Sequence, residues 1–160
     1  MAESLSLRLL ERNMITESLT LHIGYDRQNC DTGTYLGPVH IDHYGRQVPK
    51  SAHGTIRLDT PSNLDIFLIK AAVGLYEQIA DHKLLIRRIN ITANKISQDT
   101  GTVQLDLFTD LQKLEKERKL QETMLNIKKR FGKNSVLKGT SFLEGSTMRD
   151  RNRQIGGHKA

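Results

Sequence analysis

The sequence predicts an α+β domain in which an antiparallel sheet is covered on one face by two helices. Apolar residues alternate with polar residues in three short segments and recur at helical spacing in two longer ones. The elements follow one another in the order helix, strand, strand, helix, strand. Antiparallel strands in this order place both helices on one face and leave a polar face open, and a helical and flexible tail follows.

The first helix and the first two strands are predicted within the N-terminal 60 residues. Residues 2–13 carry four leucines at a spacing that suits a helix with one apolar side. Residues 18–25 alternate strictly between apolar and polar side chains, which predicts a half-buried strand. Residues 26–49 are rich in Gly, Asn and Asp and are predicted to form a loop. Residues 55–60 alternate again and are expected to pair with the first strand.

A second helix and a third strand complete the predicted domain, which spans residues 1–96. Residues 64–81 carry one apolar stripe at helical spacing. Ser62 or Asn63 is expected to cap this helix by accepting a hydrogen bond from one of its first free N–H groups. Residues 84–93 alternate once more and form the last predicted strand.

The polar face of the predicted sheet is the first candidate binding site. It carries hydrogen-bond donors and cations with few acids, which suits phosphate oxygens better than a small molecule in a pocket. Aromatic residues make up only 5% of the chain, so contact with a duplex backbone is favoured over base stacking. A solvated face without a ligand is the alternative. The six candidate residues are Thr20, His22, Arg57, Arg88, Asn90 and Thr92.

Charge is distributed unevenly along the chain. Residues 1–80 carry seven Lys or Arg and nine Asp or Glu, a net charge of −2, whereas residues 81–160 carry 17 and nine, a net charge of +8. The two halves sum to the net charge of +6, and the sequence pI is about 9.5. A basic C-terminal half is typical of proteins that contact polyanions, although a solvated surface explains charge alone equally well.

A short apolar motif, QLDLF at residues 104–108, lies in a predicted linker, residues 97–109, between the predicted sheet and a charged helix. Residues 97–102 are polar and turn-forming and a charged helical run begins at Asp110, so nothing nearby buries two adjacent large apolar side chains. The motif resembles the sliding-clamp-binding motif of bacterial DNA polymerases and repair proteins, in which the glutamine binds a polar pocket and the Leu-Phe pair an apolar one. An ordinary strand or first helical turn is the alternative. The motif residues are Gln104, Leu105, Asp106, Leu107 and Phe108.

The C-terminal segment begins with a helix and ends in a basic tail. Residues 110–131 keep approximate helical spacing of apolar side chains, and Glu115 with Lys119 forms a favourable i,i+4 pair. Gly132 is expected to end this helix, with a short extension up to residue 144. Residues 145–160 are basic and polar, which predicts disorder until a partner is met.

These segments occur in the order found in a known protein family. The quoted stretches are SLTLHIGYD at 18–26, DHYGRQVPK at 42–50 leading into AHGT, LIRRINI at 85–91, and the QLDLF motif. Together with the helix at 64–81 they resemble the C-terminal part of Y-family, UmuC/DinB-type translesion DNA polymerases, over nearly the whole chain. The resemblance implies a little-finger domain, a four-stranded sheet backed by two helices that lies on duplex DNA near the lesion. It also implies a tail that tethers the enzyme to the sliding clamp.

The sequence departs from this family pattern in two respects. The family domain has the order β-α-β-β-α-β, whereas this sequence begins within the first helix, so the first strand is expected to be missing. The palm and fingers are also missing, and with them the carboxylates that hold two metal ions. The resemblance therefore implies no catalytic residue and no cofactor in this chain, with Mg²⁺ expected only in the missing palm.

Two other functions remain as alternatives. A stand-alone adaptor or inhibitor would bind the clamp without contacting DNA. A metal-dependent hydrolase would use the loop residues Cys30, Asp31, His40, His43 and His53, but their spacing matches no standard zinc pattern, so no metal site is predicted. One cysteine allows no internal disulfide, and neither a secretory signal nor an apolar run near ~20 residues is present. A cytoplasmic protein with no membrane partner and no small-molecule substrate is expected.

Overall fold

The computed structural model describes residues 1–31, 35–101, 111–155 and 158–159. The chain forms two compact units, residues 2–105 and residues 106–160 together with Met1. The first unit contains α1 (Ala2–Glu11), β1 (Met14–Tyr25), α2 (Gln28–Asp31), β2 (Val39–Ile41), β3 (Gln47–Pro49), β4 (Ala52–Ser62), α3 (Asp65–Ile79) and β5 (Ile86–Gln98).

The first unit is an α+β fold built on a three-stranded antiparallel sheet. The strand order is β4-β1-β5, with β1 in the centre. Because side chains alternate between the two faces of a strand, Leu19, Leu21 and Ile23 of β1 share one face. Leucines of α1 and α3 pack against that face. The predicted fold class is therefore confirmed.

Two apolar clusters hold the helices on the sheet. In the first, Leu9 of α1 and Leu68 of α3 meet Leu19 of β1 and Leu58 of β4. In the second, Leu75 of α3 packs against β1 at Leu21, Ile23 and Tyr25. Full burial of each such side chain stabilises the fold by about 1.5–3 kcal/mol. Leu68 has no solvent exposure, so it lies at the centre of the first cluster.

Close packing of α3 on β4 depends on Gly54. This glycine pairs with Leu21 on the helix-covered face of the sheet. A Cβ atom at this position would lie 3.0 Å from Cδ1 of Leu75 and 3.1 Å from Cγ2 of Ile79. The absence of a side chain therefore allows the helix to approach the strand.

Three strands are longer, and one loop more ordered, than the sequence predicts. Strand β5 continues to Gln98, and its last residues Ser97 and Gln98 pair with Ile15 and Met14. Their turn-forming composition is overridden because a neighbouring strand supplies backbone partners. The segment 26–49, predicted as a loop, contains α2 and the β2-β3 hairpin. These elements have three or four residues each, too few to show a period.

The predicted cap of the second helix is wrong. Helix α3 begins at Asp65 after Leu64, and no side chain caps it. The Ser62 Oγ accepts a hydrogen bond from the Leu64 N–H at 3.1 Å, one residue before the helix. The Asn63 amide instead donates to the carbonyl oxygen of Met14 at 3.0 Å and to the Asp99 carboxylate at 3.2 Å. A tertiary contact with β1 has taken the place of the local cap.

The turn of the β2-β3 hairpin is organised by one carboxylate. Asp42 Oδ1 accepts hydrogen bonds from the N–H groups of Tyr44 (2.8 Å) and Arg46 (3.0 Å). Its Oδ2 accepts two more from the Arg46 guanidinium, at 2.9 and 2.8 Å. These bonds, chiefly those from the guanidinium, lower the pKa of Asp42 from 3.8 to about 2. Gly45 adopts φ +75°, which completes the turn.

An NMR pH titration tests this turn. The Tyr44 and Arg46 amide shifts are expected to follow one titration with its midpoint near pH 2. Because the folded pKa is lowered, the carboxylate stabilises the hairpin fully above the ordinary value of 3.8, and this contribution is lost as pH falls through about 2. A midpoint near 3.8, or an unchanged midpoint after Arg46→Gln, would contradict the assigned cause.

The second unit consists of α4 (Leu111–Phe131), a 3-10 helix (Gly139–Phe142), α5 (Met148–Arg153) and the short pair β6 (Gln154–Ile155) and β7 (His158–Lys159). Lys119 Nζ lies 2.7 Å from Glu115 Oε1, as predicted for the i,i+4 pair. Gly132, at φ +95°, follows the end of α4, also as predicted. Helix α5, by contrast, lies in the segment whose composition predicts disorder. No helix in the described part of the chain has the length and apolar character needed to cross a bilayer.

Candidate nucleic-acid interface

The sheet face opposite the two helices is covered by neither of them and carries polar side chains. We call it the open face. Strand register defines its rows, because directly paired residues point to the same side of an antiparallel sheet. From β4 across β1 to β5, the rows are Arg57, Ser18 and Asn94; Thr55, Thr20 and Thr92; and His53, His22 and Asn90; a fourth pair is Gly24 and Arg88.

The structure brings together all six residues that the sequence predicts for this face. Thr20 pairs with Thr92, and His22 with Asn90. Arg57 pairs with Ser18 on one side of β1, and Arg88 with Gly24 on the other. Neighbouring strands lie about 4.8 Å apart, so the six residues form one continuous surface.

The centre of the open face is a hydrogen-bonded polar ladder. Thr20 Oγ1 lies 2.7 Å from Thr55 Oγ1 on β4. The Asn94 amide donates to the same Thr20 oxygen from β5, at 2.8 Å. Three strands are thus linked through neutral side chains, which fixes the positions of these donors and acceptors before any ligand binds.

Cations lie at both ends of the ladder. At one end, Arg57 and Lys95 each approach the Glu17 carboxylate to 3.9 Å. Both cationic side chains remain largely exposed, so these pairs are weak and leave the charges available to a ligand. At the other end, Arg88 is exposed and forms no ion pair with an acid of the described residues. Ser18 and Gly24 mark the two ends, about 20 Å apart along β1.

His22 is partly buried in its row. Its Nδ1 atom is buried and has no hydrogen-bond partner among the described residues. A ligand lying on the open face could therefore reach only the other ring nitrogen. His53 on β4 and Asn90 on β5 flank this imidazole.

Several residues of this surface are not among the six predicted from the sequence. His53 and Thr55 share the alternation of Arg57 in β4, so the sequence does carry a signal for them. Asn94 lies beyond Ala93, where the predicted strand ends, and so does Lys95, whose ammonium approaches the Glu17 carboxylate. Only the full length of β5 brings them to the sheet.

Two other candidate sites have different outcomes. The QLDLF motif, residues 104–108, lies outside the described residues. For the loop that contains Cys30 and His40, the described ranges of the chain hold no group of three His, Cys, Asp or Glu side chains placed to bind a metal ion.

Comparison with known proteins places the chain in a family. The sequence model of the "impB/mucB/samB family C-terminal domain" matches residues 1–107. The DNA polymerase IV 2 of Halalkalibacterium halodurans is 29% identical over 112 residues, which are 70% of this chain and 26% of that protein. The candidate UV-damage repair protein UvrX of Bacillus subtilis (strain 168) is 23% identical over 158 residues, 99% of this chain and 33% of UvrX. The chain thus spans about a quarter to a third of these relatives.

The family match and the fold agree with each other. The matched segment includes α1, the whole three-stranded sheet and the open face. It covers 107 of the 160 residues, well over half of the chain. The chain therefore belongs to the impB/mucB/samB family, as a C-terminal domain of the UmuC-type, Y-family DNA polymerases.

Proposed function

We propose that this chain holds a Y-family translesion polymerase on its substrate during DNA repair, by contact with duplex DNA and with the sliding clamp. The observation that carries the DNA contact is the open face. There the six sequence-predicted donors and cations lie together around a neutral ladder. Family membership supports DNA as the ligand.

The chemistry of the open face favours the duplex backbone over exposed bases. Its rows contain Thr, Ser, Asn, His and Arg side chains, and none of them contains Phe, Tyr or Trp. Side chains of these types donate hydrogen bonds to phosphate oxygens, whereas single strands are usually held by stacking on aromatic rings. Along the axis of a duplex, each strand carries one phosphate per about 3.4 Å. The separation of about 20 Å between the cationic ends therefore corresponds to about six phosphates of one strand.

The clamp contact is proposed from the QLDLF motif. The motif lies between Gln98, where β5 ends, and Leu111, where α4 begins. A tether at this position would follow directly after the DNA-contacting sheet in the chain. Leu107 and Phe108 are assigned as the apolar anchors and Gln104 as the polar one.

Bond making is not assigned to this chain. The proposed role is positioning, with Mg²⁺-dependent nucleotide transfer placed in a palm domain of the parent polymerase. No cofactor, small-molecule substrate or membrane is required by this role. Because DNA is the proposed ligand, the proposal keeps the cytoplasmic location expected from the sequence.

A charge-matched pair of variants tests the DNA contact. Arg57→Ala with Arg88→Ala is expected to weaken binding of a duplex of about 20 base pairs by roughly tenfold, equally across sequences. The slope of log affinity against log salt is expected to fall by about 0.9 for each lost phosphate contact. Fluorescence anisotropy of the full chain measures both. Arg8→Ala with Lys70→Ala removes the same charge from exposed positions on α1 and α3 and is expected to change little.

The results separate the proposal from its alternatives. Equal losses for the two double variants would show that charge acts without a defined surface. A loss confined to one DNA sequence would indicate base readout instead. A clamp-binding adaptor or inhibitor would bind no duplex DNA, whether the QLDLF motif is intact or mutated.

A further inference from the structure

The second unit presents a surface that the proposed function does not use. Helix α5 is fixed to the turn that follows α4 by three side-chain hydrogen bonds. Asn134 Nδ2 donates to the Arg149 carbonyl oxygen at 3.3 Å. Asn152 Nδ2 donates to the Lys133 carbonyl oxygen at 3.3 Å and to Asn134 Oδ1 at 2.7 Å. These bonds place α5 and the C-terminal end of α4 at the same end of the unit.

Two exposed phenylalanines lie at this end, each beside an arginine. Phe131 is 68% exposed and Phe142 is 64% exposed. The guanidinium carbons of Arg130 and Arg149 lie 5.4 Å from the ring centroids of Phe131 and Phe142, respectively. Cation–π contact holds the guanidinium near each ring, yet most of both aromatic side chains remains in solvent. Large apolar side chains that stay exposed beside cations are typical of an interaction surface.

The surrounding segment is strongly basic. Residues 128–153 carry eight Lys or Arg and two acids, a net charge of +6. Five of these cations are exposed and form no ion pair with any acid in the described residues. The five are Arg130, Lys133, Arg149, Arg151 and Arg153.

We propose that this Phe131/Phe142 surface binds single-stranded nucleic acid. Unpaired bases would stack on the two phenylalanine rings, and the arginines would contact the intervening phosphates. A duplex offers no free base faces, so the surface selects single strands. The open face has the opposite composition, since its rows carry no Phe, Tyr or Trp. This inference rests on the second unit alone and does not depend on the proposed function.

Charge and ring geometry together favour a polynucleotide over an acidic protein. The carboxylates of an acidic peptide would be attracted to the same cations, but they do not stack on the two exposed phenylalanine rings. A polynucleotide supplies a π-face and a negative charge in every unit. Each phenylalanine ring with its arginine therefore offers one partner for the base and one for the phosphate of a nucleotide.

Binding of the full chain to a labelled oligothymidylate of about 20 nucleotides tests this inference. Phe131→Ala with Phe142→Ala is expected to weaken binding by about tenfold or more, since each lost stacking contact costs several-fold in affinity. Phe142→Tyr, which keeps a ring, is expected to retain the affinity. Arg149→Gln with Arg151→Gln is expected to reduce the salt slope by about 0.7 for each lost phosphate contact.

The control variants alter side chains of comparable exposure elsewhere in the chain. Leu120→Ala with Leu143→Ala removes two apolar side chains that are 56% and 65% exposed in the same unit, and affinity is expected to stay within about twofold. Arg8→Ala with Lys70→Ala removes two exposed cations of the first unit and is expected to leave oligonucleotide affinity within about twofold. Equal losses for the phenylalanine and leucine variants would overturn the inference. So would displacement of the oligonucleotide by polyglutamate at equal charge concentration, which would indicate an acidic protein partner.

Discussion

Replacing Leu107 and Phe108 together by alanine is expected to weaken binding of the full chain to a bacterial sliding clamp by at least ~2 kcal/mol, about thirtyfold. Interface energy is concentrated in a few apolar and aromatic anchors that become fully desolvated, and the motif offers one adjacent pair of this kind. Isothermal titration calorimetry measures the change directly. Gln104→Ala removes only one polar contact, so we expect it to weaken binding less than the double variant.

A control variant shows whether the loss belongs to the motif. Leu111→Ala with Leu120→Ala removes two exposed leucines of α4 and is expected to leave clamp affinity unchanged. An unchanged affinity for the Leu107 and Phe108 variant would refute the assignment of the anchors. Duplex DNA binding by this variant is expected to be preserved, because the open face belongs to β1, β4 and β5.

Leu68→Ala is expected to lower the free energy of unfolding by about 2–5 kcal/mol. Its side chain is fully buried and contacts α1 and both strands of the first cluster, so its removal leaves a cavity between the helices and the sheet. Urea denaturation followed by circular dichroism measures the loss. Val73→Ala on the same helix is the control, because Val73 is 54% exposed and its truncation is expected to cost no more than about 0.5 kcal/mol. Equal costs for the two variants would contradict the described core.

Much of the first unit could be predicted because its sequence periods are clear. Residues 18–25 alternate strictly, and their apolar members are the side chains that α1 and α3 cover. The same alternation selects the outward residues, which explains why all six predicted members of the open face lie together. A period of two determines which face a residue occupies without knowledge of its partner strand.

Features that depend on a partner strand could not be predicted. The row that joins Thr55, Thr20 and Thr92 requires the register of three strands, which no single segment encodes. The strand conformation of Ser97 and Gln98 likewise arises from pairing with β1, against their turn-forming composition. Asn63 was available as a cap, but its amide is used to bind the Met14 carbonyl oxygen.

The Phe131/Phe142 surface illustrates the same limit in the second unit. The two phenylalanines are separated by ten residues without a common period, so their sequence positions do not indicate one surface. The hydrogen bonds of Asn134 and Asn152 bring α5 to the end of α4. The basic composition of residues 145–160 predicts disorder, because composition alone does not reveal these hydrogen bonds.

Mapping a DNA duplex onto the full chain by ¹H–¹⁵N NMR tests the central claim most directly. The ligand is a duplex of about 20 base pairs, because the cationic ends are proposed to contact its regular backbone charge. Amide shift changes are expected to cluster on β4, β1 and β5. The largest are expected near Arg57, Thr20, His22 and Arg88. Amides of α1 and α3, on the covered side of the sheet, are expected to remain unchanged. Shift changes confined to α1 and α3, with none on the open face, would contradict the account.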